Sequence, residues 1–177
     1  GDNVAAAMRS VVVDTSAYDW EGDRHPRRPF EKTVIYEVHV AGFTKNPNSG
    51  VEADKLGTYA GFIERIPYLQ DLGINFLHLM PVTTRPAKEN DGGYAVNGYT
   101  QIDPKFGSKK DLAALAKKMR EEGMYLMLDF VVNHTSDEYP WAVKARKGSK
   151  KYQQYYYTYP DRGLPDQFEL SLPEVFP

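Results

Sequence analysis

The chain is expected to adopt an α/β fold on a parallel sheet, and three observations support this. Three short runs of β-branched, aromatic and aliphatic residues begin near Thr33, Ile74 and Tyr125, and segments of helical period separate them. The run from Tyr125 to Val132 is apolar on both alternating faces apart from Asp129, as strands covered on two sides are. Glycines, Gly73 and Gly123, close the helical segments just before the next strand. A repeated strand, loop and helix order demands crossovers, so the strands should be parallel and the connections right-handed.

Each element follows from its residues. Val11 to Val13 is β-branched and is expected as a short strand. Asp19 to Pro29 mixes Trp20 with charges, Gly22, Pro26 and Pro29 and lacks periodicity, which makes it an extended lead-in. Thr33 to Val40 is the first sheet strand, ending at Ala41-Gly42, and Thr44 to Asp54 is a loop containing Pro47 and Gly50. Between Gly57 and Gly73, Phe62, Ile66 and Leu69 keep helical spacing, with Ile63 and Leu72 close to the same side. Pro67 cannot donate inside a helix but suits a first turn, so two helices are expected here, the second starting near Pro67. Ile74 to Val82 is the second strand.

Thr83 to Gly107 reads as a long loop around Asp91-Gly92-Gly93-Tyr94, and loops of that length in compact domains are functional or disordered. Ser108 to Gly123 is the clearest helix: Ser108 and Asp111 make a capping-box pattern, and Leu112, Leu115, Ala116 and Met119 make one face. Beyond Tyr139 the alternation stops. Trp141 to Lys151 is a basic, solvated helix face and turn, Tyr152 to Tyr159 is Tyr-rich, and Pro160 to Pro177 is loop-like. Tyr clusters suit a carbohydrate surface and serve equally as packing in an irregular insert.

Composition narrows the partners. A formal charge of -2 over 177 residues gives no general attraction to phosphate backbones, so no nucleic acid partner is expected. No stretch approaches the roughly 20 apolar residues that span a bilayer, so no membrane partner is expected either. Without cysteine there is no disulfide framework or thiolate metal site, and the compartment stays open. The chain opens on Gly1 without a Met, as a processed or partial polypeptide would, and lacks a signal-peptide pattern at its start.

The polar residues that interrupt the third strand are the candidates for chemistry. Side chains alternate along a strand, so Asp129, Val131 and Asn133 share one face, and Asn133 and His134 lie where the strand opens into a loop. In parallel α/β sheets and barrels that strand end is where ligands sit. Asp129 could equally be a core residue satisfied by backbone donors, Asn133-His134-Thr135-Ser136 a turn, and Asp91 before two glycines ordinary turn chemistry. Asn133-His134-Thr135 also fits a glycosylation acceptor, though a strand mouth is a poor place for a glycan. His39 and His78 lie on strands as core or edge residues. Asp129, Asn133 and His134 offer too few oxygens for a hard cation and too few His or Cys for zinc, so no metal is expected.

Asp129-Phe-Val-Val-Asn133-His134 resembles the first conserved region of glycoside hydrolase family 13, the α-amylase superfamily. Gly73-Ile-Asn-Phe-Leu-His-Leu-Met-Pro81-Val82 resembles that family's second barrel strand. The loop from Asp91-Gly92-Gly93-Tyr94 through Tyr99, with Ile102-Asp103-Pro104-Lys105-Phe106-Gly107-Ser108, resembles its substrate-pocket loop and the entry to its second helix. Two branches are represented. Val11-Val-Val-Asp14 through Trp20, Thr33 to Val40 and Gly57-Thr-Tyr-Ala-Gly61 resemble isoamylase-type debranching enzymes, whereas Asp91-Gly-Gly-Tyr94, Tyr159-Pro-Asp-Arg162 and Leu164-Pro-Asp166-Gln167 resemble amylosucrase.

The resemblance implies the N-terminal portion of a (β/α)8 TIM barrel, about three β/α units, with the start of a domain B insert after the third strand. Residues 1-30 would be the lead-in, 31-138 the first barrel units and 139-177 the start of the insert. Eight units need about 250 residues, so the remainder would come from other polypeptide. The implied activity is that of a retaining α-glucan-active hydrolase or transglucosylase, with no cofactor. Its carbohydrate partner would be an α-glucan or a sucrose-like sugar, alongside a complementary chain or self-association. The family's nucleophile and acid/base come from its fourth and fifth strands, and neither has a counterpart before Pro177, so no catalytic residue is expected within the chain. The residues that carry over are Asp91, holding an Arg or a sugar hydroxyl, Tyr94, stacking on the ring, and His134, bonding a hydroxyl. Asp129 and Asn133 would support the strand end, and Arg162 and Asp166 would face an acceptor sugar, or form a surface ion pair. The alternative is a non-catalytic barrel fragment, or a recombined scaffold, with at most weak carbohydrate binding.

Overall fold

A computed structural model describes residues 12–88 and 91–170, apart from the side chains of Phe168 and Glu169. The chain divides into two compact units, 1–33 and 34–177. In the first, the described residues are exposed or nearly so and are shaped by local turns, with Asp14 and Asp19 accepting from the backbone N–H groups of Ser16 and Glu21. Tyr18 and Trp20 meet edge to face at 4.9 Å. The strand expected at Val11 to Val13 does not form: Val12 and Val13 are exposed and irregular, and Val11 lies outside the described residues. β-branched residues without a partner strand have nothing to pair with.

The second unit is built on three parallel strands, β1 (Ile35–Val38), β2 (Phe76–Leu79) and β3 (Tyr125–Leu128), in that order. Their register aligns Tyr36 with Leu77 and Leu126, and Glu37 with His78 and Met127. The helices are α1 (Val40–Thr44), α2 (Tyr59–Glu64), α3 (Ile66–Asp71) and α4 (Lys109–Glu121), followed beyond β3 by α5 (Pro140–Arg146), α6 (Lys150–Gln153) and α7 (Gly163–Glu169). Among the described residues no helix is long and apolar enough to cross a membrane.

The helices on which the sheet packs follow the sequence closely. Pro67 sits in the first turn of α3, directly after α2. Phe62, Ile66 and Leu69 are fully buried and meet Leu77, Leu79, Leu115 and Met119 in one core. Leu72 departs from that pattern: it caps α3 and is half exposed. Ser108 and Asp111 make the reciprocal capping box, and Gly73 and Gly123 follow the two helices with φ of +75° and +73°.

The strands are shorter than their apolar runs. β1 stops at Val38 because the imidazole of His39 caps α1, its Nδ1 accepting from the N–H of Gly42 at 3.1 Å, so Val40 to Gly42 are helical. His39 is therefore a cap and not a strand residue. β3 stops at Leu128. The N–H of Asp129 still donates to Leu79, but β2 has ended, and Phe130 and Val132 turn out to be 66% and 75% exposed. The buried strand expected to reach Val132 loses its second half for want of a neighbour to pair with.

Two further segments expected as loops carry structure. Within 83–107, Thr83–Thr84 and β4 (Gly98–Ile102) pair antiparallel, with an irregularity between Thr83 and Thr84. A two-residue strand is too short for any period to show. Thr44 to Asp54 contains single-turn 3-10 helices, and Gly163 to Glu169 is helical where a loop was expected to run from Pro160 to Pro177; residues 171–177 lie outside the described part.

Candidate functional site

The two faces of the β1–β2–β3 sheet differ in composition. Alternation sends Tyr36, Val38, Leu77, Leu79 and Leu126 toward the helices, and leaves Ile35, Glu37, Phe76, His78, Tyr125 and Met127 on the other face. There the aligned Phe76 and Tyr125 stack at 4.9 Å. Asp129 follows Met127 by two residues and extends the same row past the end of β3. So one face is a hydrocarbon core, and the other carries carboxylates toward the C-terminal strand ends.

The loop at 91–94 closes on that polar end. The Asp91 Oδ1 accepts from the N–H of Ala95 at 2.8 Å, which folds the loop into a tight turn. Gly93 takes φ of +113°, a left-handed conformation open to glycine, and a Cβ there would come within 3.0 Å of Arg85 Nη1. The turn delivers Tyr94 beside Asp129. Burial first, then the Asp129 charge and a hydrogen bond to that carboxylate, and then Glu37 and Asp91, all raise the Tyr94 phenol above its ordinary 10.0. The charges of Asp129, Glu37 and Asp91 thus all act on the Tyr94 phenol.

His134 is held differently. Its backbone carbonyl accepts from the hydroxyl of Tyr99 at 3.2 Å, and the same hydroxyl donates to Val131 at 2.7 Å. The exposed imidazole faces the Asn133 side chain, Nδ1 to Nδ2 at 3.3 Å. Among the described residues no hydrogen bond or ring contact joins His134 to Asp91 or Tyr94. Ser136 ties the same segment to the pocket loop through a 2.9 Å bond from its N–H to Val96. Arg162 and Asp166 form an exposed pair at 2.9 Å, one helical turn apart at the start of α7. No group of three or more His, Cys, Asp or Glu among the described residues is placed to hold a metal ion.

Three residues of this region escaped the sequence reading. Glu37 interrupts the first apolar run as Asp129 interrupts the third, so the same signal was present and unused. Tyr99 acts through its hydroxyl on a carbonyl, a contact without a sequence pattern. Arg85 follows two threonines and carries no local signal at all.

Parallel strands linked by helices, with Glu37 and Asp129 toward their C-terminal ends, are the arrangement found in the first units of a β/α barrel. The family model described as "Alpha amylase, catalytic domain" matches residues 37–174. An oligo-1,6-glucosidase of Bacillus cereus is 36% identical over 128 residues, 72% of this chain and 22% of that protein. A glycogen debranching enzyme of Yersinia enterocolitica is 36% identical over 154 residues, 77% of this chain and 23% of that one. Among solved structures, an isomaltulose synthase mutant of Erwinia rhapontici in complex with its natural substrate sucrose aligns with a TM-score of 0.63 at 30% identity, covering 76% of this chain and 23% of that one. The chain belongs to the α-amylase catalytic-domain family, with the partial-barrel fold that the resemblance implied. It spans under a quarter of the length of these relatives. The likeness to debranching enzymes is matched directly, and the likeness to amylosucrase only approximately, through isomaltulose synthases.

Proposed function

We propose that residues 34–177 supply the first three β/α units, and the opening of the insert, of a retaining enzyme acting on α-glucosides, either as a hydrolase or as a transglucosylase. What supports this reading is the parallel-strand arrangement, with Glu37 on β1, Asp129 just past β3 and Tyr94 in the loop after β2, where the charges of both carboxylates and of Asp91 act on the Tyr94 phenol. The ring of Tyr94 offers a face on which a glucose ring can stack, and Asp91 shapes the turn that presents it. His134 offers an imidazole N–H to a hydroxyl at the rim. Asp129 and Asn133 orient Tyr94 and His134, and Arg162 and Asp166 lie on the acceptor side in the insert.

Retention of configuration needs two carboxyl groups about 5 to 5.5 Å apart, one attacking the anomeric carbon and one serving as acid and then base. In this reading both come from barrel strands outside these residues, and the present residues bind and orient the glucose. Turnover should then be absent from the 177-residue chain alone with isomaltose, sucrose or pullulan, and should appear once the complementary barrel polypeptide is added. Turnover by the chain alone would overturn the assignment of the reacting pair.

A second reading is favoured by the exposure of Phe130 and Val132 and by the two outer strands of the sheet: a barrel segment whose main role is to pack against a complementary chain or a second copy. Sedimentation separates the two. A partner that assembles without conferring turnover or glucose binding supports the scaffold.

A further inference from the structure

The 91–94 loop turns on a glycine pair that many backbone conformations suit equally, and the structure contains a device that holds one of them. Arg85 lies almost entirely inside the protein, its side chain 12% exposed. Its Nη1 donates to the carbonyl of Gly92 at 2.8 Å, its guanidinium rests 5.5 Å over the Phe106 ring, and its Nε faces the Asp103 carboxylate at 3.4 Å. Asp103 is itself fixed, with a side chain only 8% exposed. It accepts from the N–H of Lys105 at 3.0 Å, and its own N–H donates to Val82 at 2.9 Å. The guanidinium therefore bridges a buried floor and a glycine turn. Gly93 packs against the same guanidinium, and an added Cβ would sit 3.0 Å from its Nη1.

We propose that Arg85 is a positioning residue for the sugar site: by tethering the Gly92-Gly93 turn to Asp103 and Phe106 it sets the distance at which Tyr94 reaches Asp129. The inference rests on Tyr94 being a sugar contact only for its consequence in binding; the tether itself can be tested without any ligand. Arginine suits this task because one planar group supplies parallel donors and a stacking face, and lysine, a point charge on a flexible stem, supplies neither. Removal of the cation alone would leave the buried Asp103 unpaired and risk the fold. The informative variants are therefore Arg85→Lys, and Arg85→Met combined with Asp103→Asn, which removes both charges.

The test uses the full chain labelled with 3-fluorotyrosine, with the Tyr94 resonance assigned by its absence in Tyr94→Phe. In both Arg85 variants the Tyr94 signal should shift and broaden and its phenol should titrate lower than in the unaltered labelled protein, toward the value of free 3-fluorotyrosine. The signal of Tyr152, in the insert, should stay where it is, and affinity for D-glucose should fall several-fold. A Tyr94 signal and titration identical to the unaltered protein would overturn the proposal. So would failure of both variants to fold, since Arg85 would then be a pillar of the fold and not of the loop. If Tyr94→Ala, which removes the stacking ring, leaves glucose affinity unchanged while the Arg85 variants still move the Tyr94 signal, the tether stands and the sugar-binding reading fails.

Discussion

The two faces of one sheet obey different rules in this molecule. On the helix side Leu77 and Leu79 are completely buried among Phe62, Ile66, Leu69, Leu115 and Met119, a core that is apolar apart from the phenols of Tyr36 and Tyr59. On the other side the same strands present Glu37, His78 and, just beyond β3, Asp129, with stacked Phe76 and Tyr125 between. Strand geometry alone cannot distinguish these faces, since alternation serves both equally. What differs is what covers them. The helices are local in sequence and already in place, so the first face is finished; the second depends on the pocket loop and on whatever completes the barrel.

The comparison is most easily broken by paired truncations. Leu79→Ala should cost about 2 to 5 kcal/mol of unfolding free energy, because it empties a site where close packing leaves no room to relax. Met127→Ala, on the other face of the adjacent strand and only partly buried, should cost about 1 kcal/mol or less. Urea denaturation of both variants measures this, and equal losses would mean that the faces are equally covered in solution. A second variant probes how tightly the helix side is closed. Gly61 lies in α2 with the Lys55 carbonyl, Val51 and Thr44 against the place of a Cβ, so Gly61→Ala should destabilise by about 1 to 3 kcal/mol despite alanine's better helix propensity. A stabilised variant would show that the 51–55 segment yields freely.

The same contrast explains what could be read in advance. The helix side was legible because its signals are periodic and local: Phe62, Ile66 and Leu69 repeat at helical spacing, Pro67 marks a first turn, and Ser108 with Asp111 announces a helix start. The strands were located but drawn too long, because an apolar run reports hydrophobicity and not the presence of a partner. Phe130 and Val132 satisfy the pattern and still lie in solvent. Asp91, Tyr94 and Asp129 came together as a motif, yet the side chains that hold the motif in place could not be foreseen. Arg85 works through the Gly92 carbonyl and Tyr99 through those of Val131 and His134, and backbone acceptors look alike in every sequence.

Tyr99→Phe sharpens the comparison on the open side. Phenylalanine keeps the edge-to-face contacts with Phe130 at 5.7 Å and Tyr139 at 5.4 Å, and removes only the hydroxyl that fastens Val131 and His134. The expected loss is about 0.5 to 1.5 kcal/mol, the net worth of a hydrogen bond, with faster amide exchange confined to 131–136. Exchange that rises evenly through α4 as well would mean that Tyr99 belongs to the core and not to the site.

The smallest effect concerns acid. His39 caps α1 by accepting at Nδ1, which a proton on that nitrogen would abolish. Burial foremost, then the Arg85 charge, hold its pKa below the ordinary 6.5, although Asp103 pulls the other way. A histidine whose folded pKa is depressed binds its proton more readily when unfolded, so its share of stability is complete above pH 6.5 and declines as the pH falls below that value. His39→Asn retains a capping acceptor without the titration, and should flatten the stability profile below pH 6.5. An unchanged profile in His39→Asn would place the acid sensitivity elsewhere, among the carboxylates that pair with Lys55 and Lys118.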